Sequence, residues 1–350
     1  MTGELMAAEM AAQPEVLARV TARAPVDISA VRAVLPHPLA GLVFLARGSS
    51  DNAAVFGRYL AELRAGRPAG LAAPSLYTRY HATVDWRGYL VVALSQSGAT
   101  PEIISTCQAV RAGGAVVLGI TNEPDSPLAD AVDILLSTDA GPERAVPATK
   151  TVTAQLALLV TVTSALRAGA ADATPGAVGE TADAVSGAPG GGTLDGLPGA
   201  VAGVLGDPGP VERLADRWRG LDRLVVAGRG LAYAAALETA LKVKETTGIL
   251  AEGISTADLL HGPIAAVYAG APVLLVDGGG PADTDLDELR ALLASRRAQA
   301  ASLPVPARLP EAVHVIAAIT RGQQLAYELA RARHVNPDAP AHLSKVTATT

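Results

Sequence analysis

The residues best suited to chemistry begin with Leu94-Ser95-Gln96-Ser97-Gly98-Ala99-Thr100, which follows an apolar strand-like run, Tyr89 to Leu94, and precedes a helical pattern. Hydroxyls at a helix N-terminus, where unpaired N–H groups meet the positive end of the dipole, suit a phosphate without a cation. Gly48-Ser49-Ser50-Asp51-Asn52 and Gly228-Arg229-Gly230 are two further Gly-rich turns after strand-like runs. Each is equally readable as plain turn chemistry. The third lacks a full G-x-G-x-x-G and a Lys-Ser/Thr pair, so neither a dinucleotide fingerprint nor a Walker loop is expected.

Glu238, Lys242 and Glu245 recur at i, i+4 and i+7 and therefore share one helix face. That spacing fits a solvated salt-bridged stripe, or a carboxylate base kept ionised by an adjacent cation. His261, in the turn Leu259-Leu260-His261-Gly262-Pro263, is either a surface residue or an imidazole able to shuttle a proton at a sugar ring oxygen. No His pair stands at i, i+4, so no metal site is expected. Lys345 lies in Asn336-Pro337-Asp338-Ala339-Pro340-Ala341-His342-Leu343-Ser344-Lys345-Val346-Thr347. Such a tail frays unless docked; its two prolines and its apolar Leu343 and Val346 favour docking, where the lysine would form a Schiff base or pair with a carboxylate.

These groups must be positioned by a fold, and 350 residues suffice for two domains. The composition is 49% hydrophobic, 18% charged and 3% aromatic, which is globular and not disordered. A net charge of −6 excludes the basic stripe a nucleic-acid binder needs. Cys107 is the only cysteine, which excludes a disulfide framework and fits a small buried hydrophobe. Glu4 and Glu9 among the first apolar residues do not make a secretory signal, and the apolar run Leu156 to Leu166 is too short for a bilayer. A soluble cytoplasmic protein without membrane association is expected.

Strand-like and helical runs alternate: Gly41 to Ala46 then Asn52 to Arg64; Tyr89 to Leu94 then Pro101 to Arg111; Ala115 to Ile120 then Ser126 to Ala131; then Ile134 to Ser137. Leu5 to Val20 reads as a helix re-started at Gln13-Pro14. The alternation predicts βαβ units and an α/β, mostly parallel sheet covered by helices, with ligands at the carboxyl ends of strands. Ala168 to Pro210, with Gly187-Ala188-Pro189-Gly190-Gly191-Gly192 at its centre, reads as a linker or a loosely packed inter-domain helix region. The pattern then restarts with a strand Arg223 to Ala227, a long helix Leu231 to Thr247 and strands Pro272 to Asp277 and Val313 to Ile316, as a second, smaller sheet.

Taken together, the motifs resemble the sugar isomerase (SIS) family in its double-domain form, close to the isomerase half of glucosamine-6-phosphate synthase. They are Glu9-Met10-Ala11-Ala12-Gln13-Pro14, Ser95-Gln96-Ser97-Gly98, Val146-Pro147-Ala148-Thr149-Lys150 with Thr153-Ala154-Gln155-Leu156, Ala236 to Glu245, Ala251-Glu252, His261-Gly262-Pro263 and Leu343-Ser344-Lys345. The resemblance implies two tandem flavodoxin-like three-layer SIS domains: a helical segment 1–30, a first domain 31–185, a linker 186–210, a second domain 211–335 and an active-site tail 336–350. It implies that Ser50, Ser95, Gln96, Ser97 and Thr100 grip a sugar phosphate and that Val146 lines the site. Glu245 would move a proton between sugar carbons, supported by Glu238 and Lys242. His261 would assist ring opening across a homodimer with a shared site, and Lys345 would contact the open-chain sugar, with no cofactor.

Ala99 stands where the synthase usually has Glu, and no cysteine precedes Cys107 to head a glutaminase. Thr100-Pro101-Glu102, Pro147-Ala148-Thr149 and the Asn-Pro-Asp-Ala-Pro approach look more like stand-alone SIS-type glucosamine-6-phosphate deaminases. The resemblance therefore implies an isomerising deaminase. A fructosamine-phosphate deglycase, a galactosamine-6-phosphate deaminase, a ketose–aldose isomerase and a non-catalytic sugar-phosphate sensor are the alternatives.

Overall fold

The computed structural model describes residues 3–166, 194–306, 309–340 and 343–345. The Gly187 to Gly192 cluster, and the linker reading as far as residue 193, lie outside them. The chain forms two compact units, each drawn from separate stretches of sequence: Met1–Glu15, Glu143–Thr153 and Asp183–Lys345 in one, Val16–Pro142, Ala154–Ala182 and Val346–Thr350 in the other.

The N-terminal pattern starts as helix α1 (Glu4–Ala11) and restarts as α2 (Gln13–Val34), which runs well past Val20. The unit containing residues 16–142 is built on five parallel strands: β1 (Gly41–Leu45), β2 (Ala69–Leu71), β3 (Tyr89–Leu94), β4 (Val116–Thr121) and β5 (Ile134–Ser137), in the order β2-β1-β3-β4-β5. Its helices are α3 (Ser49–Ala65), α4 (Ser75–Thr78), α5 (Pro101–Ala112), α6 (Pro127–Asp130) and most of α7 (Lys150–Leu166). Strand side chains alternate between faces. Leu45, Val91, Ala93 and Val117 pack with Ile103, Cys107 and Val110 of α5. On the opposite face, Gly57 of α3 lets Phe44 and Leu159 close in, since a Cβ there would lie 2.8 Å from the Phe44 ring. Burial pushes the Cys107 thiol up to about 12, so it packs as a hydrophobe.

The other unit carries α8 (Leu197–Gly206), α9 (Gly209–Trp218) and four parallel strands: β6 (Arg223–Gly228), β7 (Leu250–Ser255), β8 (Pro272–Val276) and β9 (Gln299–Ser302), in the order β7-β6-β8-β9. Helices α10 (Ala232–Thr247), α11 (Thr256–Leu260), α12 (Thr284–Ser295) and α13 (Glu311–Ala332) complete it. Two glycines set the position of α10. A Cβ at Gly253 of β7 would lie 2.6 Å from the Leu237 backbone, and one at Gly322 of α13 would lie 2.1 Å from the Thr239 hydroxyl. Helix α10 is thus held between the sheet and α13.

Val313 to Ile316, expected as a strand, is the start of α13. A short apolar run has the same composition in a buried helix as in a buried strand. Here the burial continues on all sides through Ala326, which makes it helix. The unread strands β2, β7 and β9 all lie at sheet edges, and their residues are mostly exposed or half-exposed, so they lack the apolar run that marks a central strand. Among the described residues no helix is long and apolar enough to cross a membrane.

Candidate active site

Two hydroxyl-bearing loops stand at the carboxyl ends of neighbouring strands, β1 and β3. The first turns at Gly48 (φ 62°) into α3, whose second residue is Ser50. Ser50 is buried and its hydroxyl donates to Gln155 Oε1 at 3.0 Å. The Gln155 side-chain nitrogen has no partner among the described residues, so the pair retains a donor.

In the second loop the Ser95 N–H bonds Ile120 O (3.0 Å), the Asn122 N–H bonds Gln96 O (3.1 Å) and the Leu128 N–H bonds Gly98 O (3.0 Å), which fixes the loop to β4 and the start of α6. Gly98 is obligatory: its φ is +58°, and a Cβ would lie 1.9 Å from Ser126 Oγ. Ser95 is buried, while Gln96, Ser97 and Thr100 are half-buried. Thr100 is the N-cap of α5 with its hydroxyl not used for capping, and Pro101 occupies the first helical position, where no N–H is needed. The structure therefore brings Ser50, Ser95, Gln96, Ser97 and Thr100 to one end of one sheet. It adds a cation that sequence reading missed. Arg47, at the end of β1, reaches Glu102 in the first turn of α5 (Nη2 to Oε2 2.9 Å) and ties the two loops together.

The second group lies on α10. Glu238 and Lys242 have side chains 1% and 0% exposed, so this face is not a solvated stripe. Lys242 Nζ is 3.6 Å from Glu238 Oε1 and donates to Glu245 Oε2, and the Glu245 side chain is 23% exposed. Burial pushes the Lys242 pKa down, but Glu238 and then Glu245 outweigh it, so the ammonium is held charged above its ordinary value. The Thr246 hydroxyl, donating to Lys242 O (2.9 Å) and Ala326 O (3.1 Å), locks this turn against α13.

The same unit holds a carboxylate that sequence reading missed. Glu143 is buried in the loop before α7, and Lys345 reaches its Oε2 at 3.0 Å. Lys345 thus sits on a carboxylate, while Leu343, expected to help dock the tail, is exposed and Val346 lies outside the described residues. Asp338 fastens the tail a second time. Its carboxylate accepts the Gly3, Leu5 and Met6 N–H groups and caps α1, and its carbonyl accepts the Val146 N–H (2.9 Å). The N-terminal motif serves the same loop: Glu9 accepts the Arg144 and Ala145 N–H groups, and Gln13 bonds Gln323 (3.0 Å), which donates to Thr149 O (3.2 Å). Burial raises the Glu9 pKa, partly offset by those N–H groups.

His261 ends α11 on an exposed turn, and among the described residues no hydrogen bond or ion pair ties it to Glu245. The third glycine turn is no anion cradle. Arg229 is paired with Asp285 (2.9 Å) and bonds Ser255 (3.3 Å), and the end of the neighbouring strand β8 brings Asp277 and the nearby Asp283 and Glu311.

The SIS-domain family profile matches residues 41–165 and 219–303. The chain is 34% identical over 325 residues to a glutamine–fructose-6-phosphate aminotransferase (isomerizing) of Aeropyrum pernix, covering 87% of this chain and 50% of that one. It thus spans about half the length of the curated relatives it matches. The C-terminal domain of glucosamine-fructose-6-phosphate aminotransferase from Francisella tularensis superposes with a TM-score of 0.81 at 24% identity, covering 96% of this chain and 98% of that one. A glucosamine-6-phosphate deaminase from Thermotoga maritima shares the fold at a TM-score of 0.66 and 20% identity, covering 95% and 100%. With two matched segments, one over each parallel sheet, the chain belongs to the SIS-domain family.

Proposed function

We propose that the chain is a cytoplasmic isomerising deaminase of an amino-sugar phosphate, converting glucosamine 6-phosphate and water to fructose 6-phosphate and ammonia. The observation that carries the reading is Glu245: a partly accessible carboxylate held by a fully buried, charged lysine. A binding protein needs no such group, whereas a base that removes a carbon-bound proton needs to be ionised and fixed in direction. The hydroxyls of Ser50, Ser95, Ser97 and Thr100 and the amide of Gln96 take the phosphate, and that remote binding energy orients the reacting carbons.

After ring opening, Glu245 removes the C2 proton and the electrons move into the C1 carbonyl, giving an enolamine. Return of the proton to C1 leaves an imine at C2, which water hydrolyses to the ketone and ammonia. The substrate's own carbonyl is the electron sink. In this reading the chain works as a homodimer with a shared site, and His261 of the partner subunit assists ring opening, consistent with its exposed turn.

The test is incubation of purified protein with glucosamine 6-phosphate while ammonia and fructose 6-phosphate are followed, with galactosamine 6-phosphate and fructosamine 6-phosphate in parallel. Equimolar ammonia and fructose 6-phosphate are expected. Binding of all three without any product overturns the reading.

A further inference from the structure

Hydroxyls at a helix N-terminus can hold a phosphate without a cation, yet a cation stands between the two hydroxyl loops. The ends of β1 and β3 bring two helix N-termini side by side, those of α3 and α5, helices of 17 and 12 residues. Across residues 47–52 and 95–102 the sequence carries two carboxylates, Asp51 and Glu102, and a single cation, Arg47. The hydroxyls are neutral, whereas a phosphate monoester carries about −1.5 to −2 at pH 7. Arg47 is therefore the one full positive charge that either loop can set against it.

The Arg47 guanidinium is held on one side only. Nε and Nη2 both approach the same Glu102 oxygen, Oε2, at 3.0 and 2.9 Å, and Nη1 makes a long contact of 3.4 Å with Ala46 O. A guanidinium carries five N–H donors in a planar fork, and those beyond these contacts have no acceptor among the described residues. The Glu102 side chain is 9% exposed and the Arg47 side chain 44%, so the carboxylate is the covered end of the pair and the guanidinium the open one. A half-exposed ion pair contributes little to folding, whereas a charge-assisted fork on a phosphate is among the stronger hydrogen-bonded arrangements. Burial raises the Asp51 carboxyl and Arg47 acts against that, so the field of Arg47 reaches the first turn of α3 as well as that of α5.

We propose that Arg47 is the residue that selects a phosphoryl dianion: Glu102 positions its guanidinium across the two loops, and the donors that Glu102 leaves over take phosphate oxygens. The proposal rests on the sugar-phosphate reading above. Glu102 is then a positioning residue with two opposed effects. It fixes the direction of the fork, and its charge weakens the pull of Arg47 on a second anion. A plain strut between the loops would behave differently, because loss of either partner would loosen the site alike.

The experiment is calorimetry on the full-length chain at about pH 8 and low ionic strength, where surface charge is least screened. The probes are glucitol 6-phosphate, which has no carbonyl to react, and glucitol 6-sulfate, a tetrahedral ester with a single negative charge. Wild type is expected to prefer the phosphate on the order of tenfold. Arg47→Gln, which keeps a hydrogen-bond donor without the charge, is expected to weaken the phosphate on the order of tenfold or more and the sulfate only about twofold to threefold. Glu102→Gln, which can still accept from Arg47, is expected to tighten the phosphate about threefold, because the guanidinium no longer divides its charge. Arg47→Lys should keep the phosphate preference with binding weaker by a few-fold, since a point charge replaces the fork. With Glu102→Gln it carries the test if Arg47→Gln does not fold. Equal losses for both esters in Arg47→Gln, or a Glu102→Gln variant that binds the phosphate more weakly than wild type, overturns the proposal, and so does a wild type that binds both esters alike. Ester binding does not depend on the reaction catalysed. An intact phosphate preference with no ammonia from glucosamine 6-phosphate therefore sinks the deaminase reading and leaves the role of Arg47 standing.

Discussion

Lys242 and Glu238 form an ion pair one helical turn apart, 3.6 Å long, with side chains 0% and 1% exposed. A buried ion pair is weak evidence for stability, since desolvating two charges offsets their attraction and apolar residues of similar volume are often as good. What the pair adds is a charged, immobile donor for Glu245. Lys242→Met should therefore destabilise the fold by about 3–5 kcal/mol in urea unfolding, through the loss of the cation beside the buried Glu238 carboxylate. Lys242→Met combined with Glu238→Leu should recover most of that loss but none of the turnover. A double variant that regains activity would show that the lysine matters only to folding.

Glu245→Gln keeps the shape and a hydrogen-bonding group while removing the base. Turnover of glucosamine 6-phosphate should fall at least about 100-fold, the range general-base catalysis supplies. Sugar-phosphate affinity by calorimetry should stay within a few-fold, because the proposed phosphate contacts are not on this helix. Surviving activity would place the base elsewhere.

The parts legible in the sequence were those with local causes. Central strands β1, β3, β4, β6 and β8 carry apolar runs buried on both faces, and each is followed by a glycine turn or a helix start that punctuates it. The Ser95 loop and the Glu238-Lys242-Glu245 face are likewise contiguous or helically periodic. Edge strands β2, β7 and β9 escaped because exposed residues such as Gln299 and Glu252 carry no strand signal, whereas the apolar edge strand β5 was legible. Glu143 escaped for a different reason. It stands only three residues before Val146 in a motif that was noticed, but its partner Lys345 comes from the far end of the chain, and no spacing rule encodes a tertiary ion pair. Arg47 was passed over in the same way, since its meaning depends on Glu102, which the parallel pairing of β1 and β3 brings near.

Gly98→Ala tests the phosphate loop by backbone geometry alone. At φ +58° an alanine costs about 1–2 kcal/mol, and its Cβ would overlap Ser126 Oγ at 1.9 Å, so the loop must shift. Sugar-phosphate affinity should drop on the order of tenfold or more, equivalent to about 1.4 kcal/mol. Ala99→Ser, on an exposed neighbour in the same loop, is the control and should leave affinity and melting temperature near wild type. Equal affinity in both variants would remove the loop from phosphate binding.

The carboxylate cluster beyond β8 gives a pH signature of folding separate from catalysis. Glu311 is buried against Gly280, and burial, then Asp283, pushes its carboxyl up to about 6 from 4.5, with His314 acting in the opposite sense. The folded state therefore binds this proton more tightly than the unfolded chain. The stability it contributes is fully present below the unfolded value and is lost as pH rises through the folded one. A shift of this size corresponds to ~2 kcal/mol. Glu311→Gln removes the titration without removing the shape. The variant should be more stable than wild type by up to ~2 kcal/mol at about pH 7.5, and the difference should shrink toward zero near about pH 4. Urea unfolding of both proteins across that range measures it. Parallel profiles would mean that Glu311 titrates alike in the folded and unfolded chain, and a variant less stable at the alkaline end would mean that its charge is favourable where it sits, at the first turn of α13.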